Sequence, residues 1–185
     1  MLFAEILRNG KYQNDEQLQS YLEKIARNAD QMKSLSDDIL QYSQTATDAS
    51  DCSTAPVSLK DALGDPLAEM EEYLGERGFR IDCKLSLPDE TVLVYEPFMK
   101  RIIDNLASNI DRYADPSEPV VIESAGDGMF LGFSVSNTAR SSSPSEEGAG
   151  VGLENIRYMM LKMAGCSKID DDDGRFTVLL LFRKA

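Results

Sequence analysis

Asn105-Leu106-Ala107-Ser108-Asn109-Ile110-Asp111-Arg112-Tyr113 closes a segment that reads as an amphipathic helix from Pro97 onward. Pro97 suits a first helical turn. Phe98, Ile102, Leu106, Ile110 and Tyr113 recur at three- and four-residue steps and make one buried stripe. Two asparagines spaced i, i+4 run against that pattern, because each is about 0.6 kcal/mol worse than Ala inside a helix. Asn105, Asn109 and Arg112 fall one step behind the stripe and form a polar ridge along its edge. Uncharged amide oxygens on such a ridge suit a hard cation, and a guanidinium suits an anionic phosphate. Taken alone, the same residues read equally well as solvated or capping groups.

Some forty positions downstream stands Gly148-Ala149-Gly150-Val151-Gly152-Leu153, with a helix opening at Leu153-Glu154-Asn155-Ile156. Alternate glycines remove Cβ atoms and let backbone N–H groups approach a phosphate, and a helix N-terminus favours negative charge. The run lacks the Lys-Ser/Thr ending of a Walker loop and the spacing of a dinucleotide fingerprint. A mobile Ser/Gly loop is the plainer reading, and the preceding stretch from Arg140 to Glu147 has that composition.

Together, in this order and spacing, the two motifs resemble the N box and second glycine box of the histidine-kinase ATPase (GHKL) superfamily, which also includes gyrase and the ninety-kilodalton heat-shock chaperone. The match runs through Asn105, Leu106, Asn109, Arg112 and Tyr113 and departs at Ile110, where a small residue is usual. The resemblance implies ATP and Mg²⁺ as cofactors, with Asn109 on the metal, Arg112 on phosphate and Tyr113 flanking the nucleotide. It also implies that Gly148, Gly150, Gly152 and Leu153 border the nucleotide. The superfamily's hydrolases carry a water-activating glutamate where this chain has Asn105, and an amide is no general base. Asp104 points about 100° around the helix. The implied chemistry is therefore transfer of the γ-phosphoryl group to a protein side chain, with Asn105, Asn109 and Arg112 as the catalytic group.

The adenine box expected between the two motifs falls on Phe133-Ser134-Val135-Ser136-Asn137-Thr138-Ala139-Arg140. Asn137 stands where the family has aspartate, and its carbonyl oxygen accepts without charge assistance. Ala139 stands where the family has its first glycine. The pattern resembles the agr- and LytTR-linked kinases, as does Gly150-Val151-Gly152-Leu153-Glu154-Asn155-Ile156. These departures support a second reading: a degenerate, dimeric regulatory module without turnover.

Upstream, Leu18, Ile25, Met32 and Ile39 fall at sevens within residues 15–43, flanked by Leu22 and Ala29 and by Tyr21, Leu35 and Tyr42. A helix of that length spans about 40 Å and calls for a partner helix or second subunit. Residues 2–8 read as a shorter helix broken at Asn9-Gly10, and Asn14 or Asp15 can cap the long helix. The result is a truncated helical hairpin, residues 1–46, then a small-residue polar linker, 47–56, and an ATP-binding domain, 57–185. In the resembled family such a hairpin dimerises and carries the phosphoacceptor histidine. This chain has no histidine, as if it began just downstream of the acceptor. A response regulator is the implied downstream partner.

Within the third segment the pattern predicts a short strand opening at Val57, a helix over 59–77, and strands over 79–87 and 91–94. The helix over 97–113 comes next, then strands over 120–124 and 129–136 joined across Gly126-Asp127-Gly128. A helix over 152–163 and a hairpin holding Ile169 and 176–183 close the chain. This order suggests an α+β fold, a two-layer α/β sandwich with the nucleotide between helices on one face of the sheet. Asp170-Asp171-Asp172-Asp173-Gly174 reads as a solvated turn, since it lacks the ligand spacing of a calcium loop.

The chain has 185 residues, 42% of them hydrophobic, and a net charge of −13. Such acidity, with no basic patch, speaks against nucleic acid. Three cysteines without histidine suggest neither zinc nor a disulfide framework and fit a reducing cytoplasm. No apolar run is long enough for a membrane contact by this chain, though the resembled kinases are usually anchored upstream.

Overall fold

The computed structural model describes residues 14–26, 29, 32, 36, 53–140 and 150–185. The chain forms two compact units, Met1–Ser43 and Gln44–Ala185. In the first, residues 15–26 form helix α1. Asn14 caps it, its Oδ1 accepting the Gln17 N–H at 2.9 Å and its carbonyl the Leu18 N–H at 3.1 Å. Leu18 and Ile25 are half-buried, whereas Leu22 and Met32 are exposed. The expected first arm, the Asn9-Gly10 break, the seam positions Leu35, Ile39 and Tyr42, and Gly148 lie outside the described residues.

The second unit opens with β1 (Ala55–Ser58), two residues earlier than the expected strand and inside the stretch read as linker. Ser58 then caps α2 (Leu59–Gly75), its Oγ accepting the Asp61 N–H at 3.4 Å. Leu59, Leu63, Leu67, Met70 and Leu74 make the buried stripe of that helix. Strands β2 (Ile81–Lys84) and β3 (Thr91–Val94) lead into α3 (Glu96–Tyr113), which carries the Asn105–Tyr113 run. The hairpin β4 (Val120–Gly126) and β5 (Phe130–Thr138) comes next, then α4 (Gly150–Lys162), β6 (Cys166–Asp172) and β7 (Arg175–Arg183).

Five strands form one sheet in the order β2-β4-β5-β7-β6, antiparallel except where β2 runs parallel to β4. β1 and β3 pair separately. β2 is shorter than the expected 79–87 strand. At its far end the Ser86 N–H is satisfied by Ser124 Oγ at 2.6 Å rather than by a ladder bond, and Pro88 then offers no donor.

Both hairpin turns obey local chemistry. Asp127 Oδ1 accepts the N–H groups of Met129 and Phe130, each at 3.0 Å. Asp173 and Gly174 both have positive φ, 48° and 79°, as a two-residue hairpin turn of the primed type requires. The acidic run is therefore strand through Asp172 and turn only at its end.

One face of the sheet is apolar, with Leu131 opposite Phe182, Phe133 opposite Leu180, and Val135 between Ile122 and Val178, all buried. These side chains join Phe98, Ile102 and Leu106 of α3 and Ile156, Met159 and Met160 of α4 in one core, which gives the expected two-layer α+β architecture. At the centre of β5 only a glycine fits, because a Cβ on Gly132 would lie 1.8 Å from the Leu180 carbonyl oxygen. Among the described residues no helix is long and apolar enough to cross a membrane.

Candidate functional site

α3 is clamped before its polar residues are presented. Tyr73 Oη on α2 donates to Asp111 Oδ2 at 3.0 Å, Arg77 Nε donates to the same oxygen at 3.1 Å, and the Arg77 guanidinium lies 3.7 Å from the centre of the Tyr73 ring. Burial, and then the Asp111 carboxylate beside it, raise the Tyr73 phenol above its ordinary pKa, so it stays a donor. At the C-terminal end of α3, Arg140 Nε donates to the Ala114 carbonyl at 2.6 Å and its Nη2 to the Asp111 carbonyl at 3.2 Å. A cation on the last carbonyls of a helix also answers its dipole. Sequence reasoning had placed Arg140 at the start of a mobile loop. β5 runs two residues beyond the expected strand, and Arg140, two residues past its end, joins the frame of α3.

Asn105 sits deeper than the expected ridge and is only 6% exposed. Its Nδ2 donates to the Arg101 carbonyl at 2.7 Å, which satisfies one amide group within the helix. Asn109 and Arg112 lie at the half-buried edge, as the periodicity implies. Asp104 does turn away: it faces Lys100 at 3.9 Å, and Lys100 also pairs with Glu69 of α2. Burial pushes the Asp104 carboxyl above its ordinary range, and the nearby ammonium opposes that shift.

The glycine run meets α3 at Gly152. A Cβ there would lie 3.2 Å from Asn105 Oδ1 and 3.6 Å from both Asn109 Oδ1 and Nδ2. The missing side chain is thus what lets the first turn of α4 close on the two asparagines. Asn109 Nδ2 is buried without a hydrogen-bond partner in the protein. Its carbonyl oxygen lies on the same edge, and an amide in this state suits a hard cation, which takes neutral oxygen donors. Leu153 is half-buried against the core and supports the same turn.

A second group of predicted residues gathers where β5 runs past the end of α3. Asn137 alternates with Leu131, Phe133 and Val135, so it shares their helix-facing side of the sheet, and it is buried. Its Nδ2 reaches the Thr138 carbonyl only at 3.4 Å. Beyond it Ala139 bridges Ala114, and the Arg140 N–H donates to the Tyr113 carbonyl at 2.9 Å. Tyr113 and Asn137 are therefore held near one another, with the Arg112 guanidinium 5.7 Å from the centre of the Tyr113 ring. Gly150 already lies in α4, which starts two residues earlier than the expected helix over 152–163. Asn155, fully buried on α4, took no part in the expected site although it lies one turn past Gly152.

With this geometry in view, the similarities to known proteins are informative. The family profile of the His Kinase A (phospho-acceptor) domain matches residues 1–47. Over 152 residues, 82% of this chain, the sequence is 28% identical to the sensor histidine kinase YrkQ of Bacillus subtilis. In both comparisons the chain is similar to sensor histidine kinases. The match spans 35% of the length of YrkQ. Among solved structures, the Acinetobacter baumannii histidine kinase AdeS superposes with a TM-score of 0.62 at 12% identity, covering 98% of this chain and 91% of that one. Full-length ShkA in complex with AMPPNP superposes with a TM-score of 0.63 at 24% identity, covering 94% of this chain and 40% of that one. Both structural likenesses carry the histidine kinase fold over to this chain.

Proposed function

We propose that this chain is the catalytic portion of a bacterial sensor histidine kinase that binds Mg-ATP and hands the γ-phosphoryl group to a histidine outside this sequence. The observation that carries the reading is the seam of α3 and α4, where a side-chain-free Gly152 faces Asn105 and Asn109 and leaves an Asn109 amide group buried and unpaired. That donor set fits a divalent cation. When bound, the cation supplies charge neutralisation between the nucleotide's phosphates. Asn109 is its ligand, Arg112 meets phosphate, and Tyr113 and Asn137 border the base. Gly148, Gly150, Gly152 and Leu153 shape the phosphate side.

Asn105 holds its own amide against the helix backbone and cannot take a proton from water. The chain's residues thus position and neutralise without activating water, which suits transfer to a side chain more than hydrolysis. The hairpin dimerises, a response regulator's aspartate accepts the phosphoryl group in turn, and the protein works in the cytoplasm as part of a membrane-anchored receptor. A second reading has one observation in its favour: Asn137 and Ala139 replace the charged and side-chain-free positions of the adenine box, which suits a dimeric regulatory module without turnover.

The test is transfer in trans. The chain is mixed with ATP labelled at the γ position and with a histidine-bearing hairpin of the same family. Acid-labile label on the hairpin, dependent on Mg²⁺ and lost in Asn109→Ala, is the expected result. Label retention on ATP throughout would leave the regulatory module as the better account.

A further inference from the structure

Asn155 is 1% exposed, and neither its Nδ2 nor its Oδ1 meets a hydrogen-bond partner in the protein. Buried amides are nearly always paired, so two unpaired groups on one side chain point to a role. Its surroundings can be located. The first turn of α4 lies on α3 at Asn105 and Asn109 through Gly152, while at the other end the Tyr95 N–H donates to Met163 Sδ at 3.3 Å. The two helices therefore run antiparallel. Helical spacing puts Asn155, three residues past Gly152, on the same side of α4, at the level of the Arg101 to Asn105 turn of α3. Asn105 has committed only Nδ2, leaving Oδ1 as an acceptor on that side.

We propose that Asn155 is a positioning residue for the cation end of the site: from the facing helix its amide supports Asn105 Oδ1 across one buried water, and so fixes the Asn105–Asn109 amide pair. The inference rests on the nucleotide reading given above. With Asn105 held, Asn109 can turn Nδ2 toward it and leave Oδ1 for the metal. Partners of this kind, one step behind a ligand, commonly carry a tenfold or larger share of metal affinity. The sequence places Asn155 in the run that resembles the kinases but assigns it no role. Its burial with both groups unpaired does.

The decisive variant is Asn155→Leu, which keeps the number and branching of the heavy atoms and removes the hydrogen-bonding groups. It is expected to fold with little change in Tm, because the cost of leaving Asn105 Oδ1 without its support is offset by the loss of a buried polar group. In the nucleotide-free chain the side-chain NH₂ signals of Asn105 and Asn109 should shift by NMR. The gain in affinity for a non-hydrolysable ATP analogue on adding Mg²⁺ should fall by about tenfold, with metal-free affinity unchanged. If Leu at this position prevents folding, Asn155→Thr restores a donor of similar size and is expected to recover both the NH₂ positions and the Mg²⁺ gain. Unmoved NH₂ signals in a folded Asn155→Leu, or a Mg²⁺ gain in that variant equal to that of a parent chain that binds, would overturn the proposal. Shifted signals in a parent chain that binds no nucleotide would support the amide link and overturn the nucleotide reading instead.

Discussion

Around Asn137 the backbone is tied down on every side, with the Asp115 N–H on Thr138, the Ala139 N–H on Gly174 and the Arg140 N–H on Tyr113, each at 2.8 to 2.9 Å. Around Asn109 the opposite holds, since one amide group of Asn109 and both of Asn155 are buried without partners. The proposed base end is thus complete as protein, and Ala139 fits there because an extended bridge to Ala114 tolerates a Cβ. The cation end is built with hydrogen-bonding capacity to spare. Surplus buried polar groups cost stability. Their concentration beside Gly152 is the observation on which the proposed cation site rests.

That contrast is sharpened by substitutions with graded effects. Asn109→Ala should reduce Mg²⁺-dependent nucleotide affinity by about 100-fold, near 2.7 kcal/mol, with Tm unchanged or raised, as calorimetry and thermal melts would read. Gly152→Val drives a branched side chain into Asn105 and Asn109. It should cost about 1–2 kcal/mol of stability and about tenfold in affinity, measured on the same samples. Tyr73→Phe frees Asp111 from one bond and should destabilise by about 1 kcal/mol without touching affinity.

The Tyr73 case carries a pH sign. The folded phenol holds its proton above the unfolded value of 10.0, so the unfolded chain ionises first. Below that value the parent's advantage over the Phe variant is constant, and it should shrink as pH rises through the folded pKa. Denaturant titrations at neutral and alkaline pH would show this. At the base end, Asn137→Asp should raise affinity by about threefold through charge assistance, equally with and without Mg²⁺. Ala139→Gly should be smallest, under about 1 kcal/mol in stability and within about twofold in affinity by the same calorimetry.

What the sequence revealed depended on how local the cause was. The stripe of α3, the Asp127 turn and the Asp173-Gly174 turn were legible because each is decided within a few residues. The separate pairing of β1 with β3 and the early end of β2 were not, since they depend on partners far along the chain. The same division runs through the site. Asn105, Asn109 and Gly152 stood out as residues at odds with their local pattern, and the structure brings them together. Arg140 and Asn155 stand inside the motif stretches but receive no role from them, because a basic residue beside a serine run and an Asn in a helix carry little local signal. Only the antiparallel contact of α3 and α4, and the extension of β5 past Ala114, give those two side chains their places.

The central claim is that the seam between α3 and α4 is a cation-dependent nucleotide site, and titration calorimetry tests it most directly. The chain and its Asn109→Ala variant would each be titrated with a non-hydrolysable ATP analogue, with and without Mg²⁺. The account predicts binding by the parent that strengthens with Mg²⁺ and a variant in which that strengthening is gone. Absence of binding at millimolar nucleotide, or binding indifferent to both Mg²⁺ and Asn109, would contradict it.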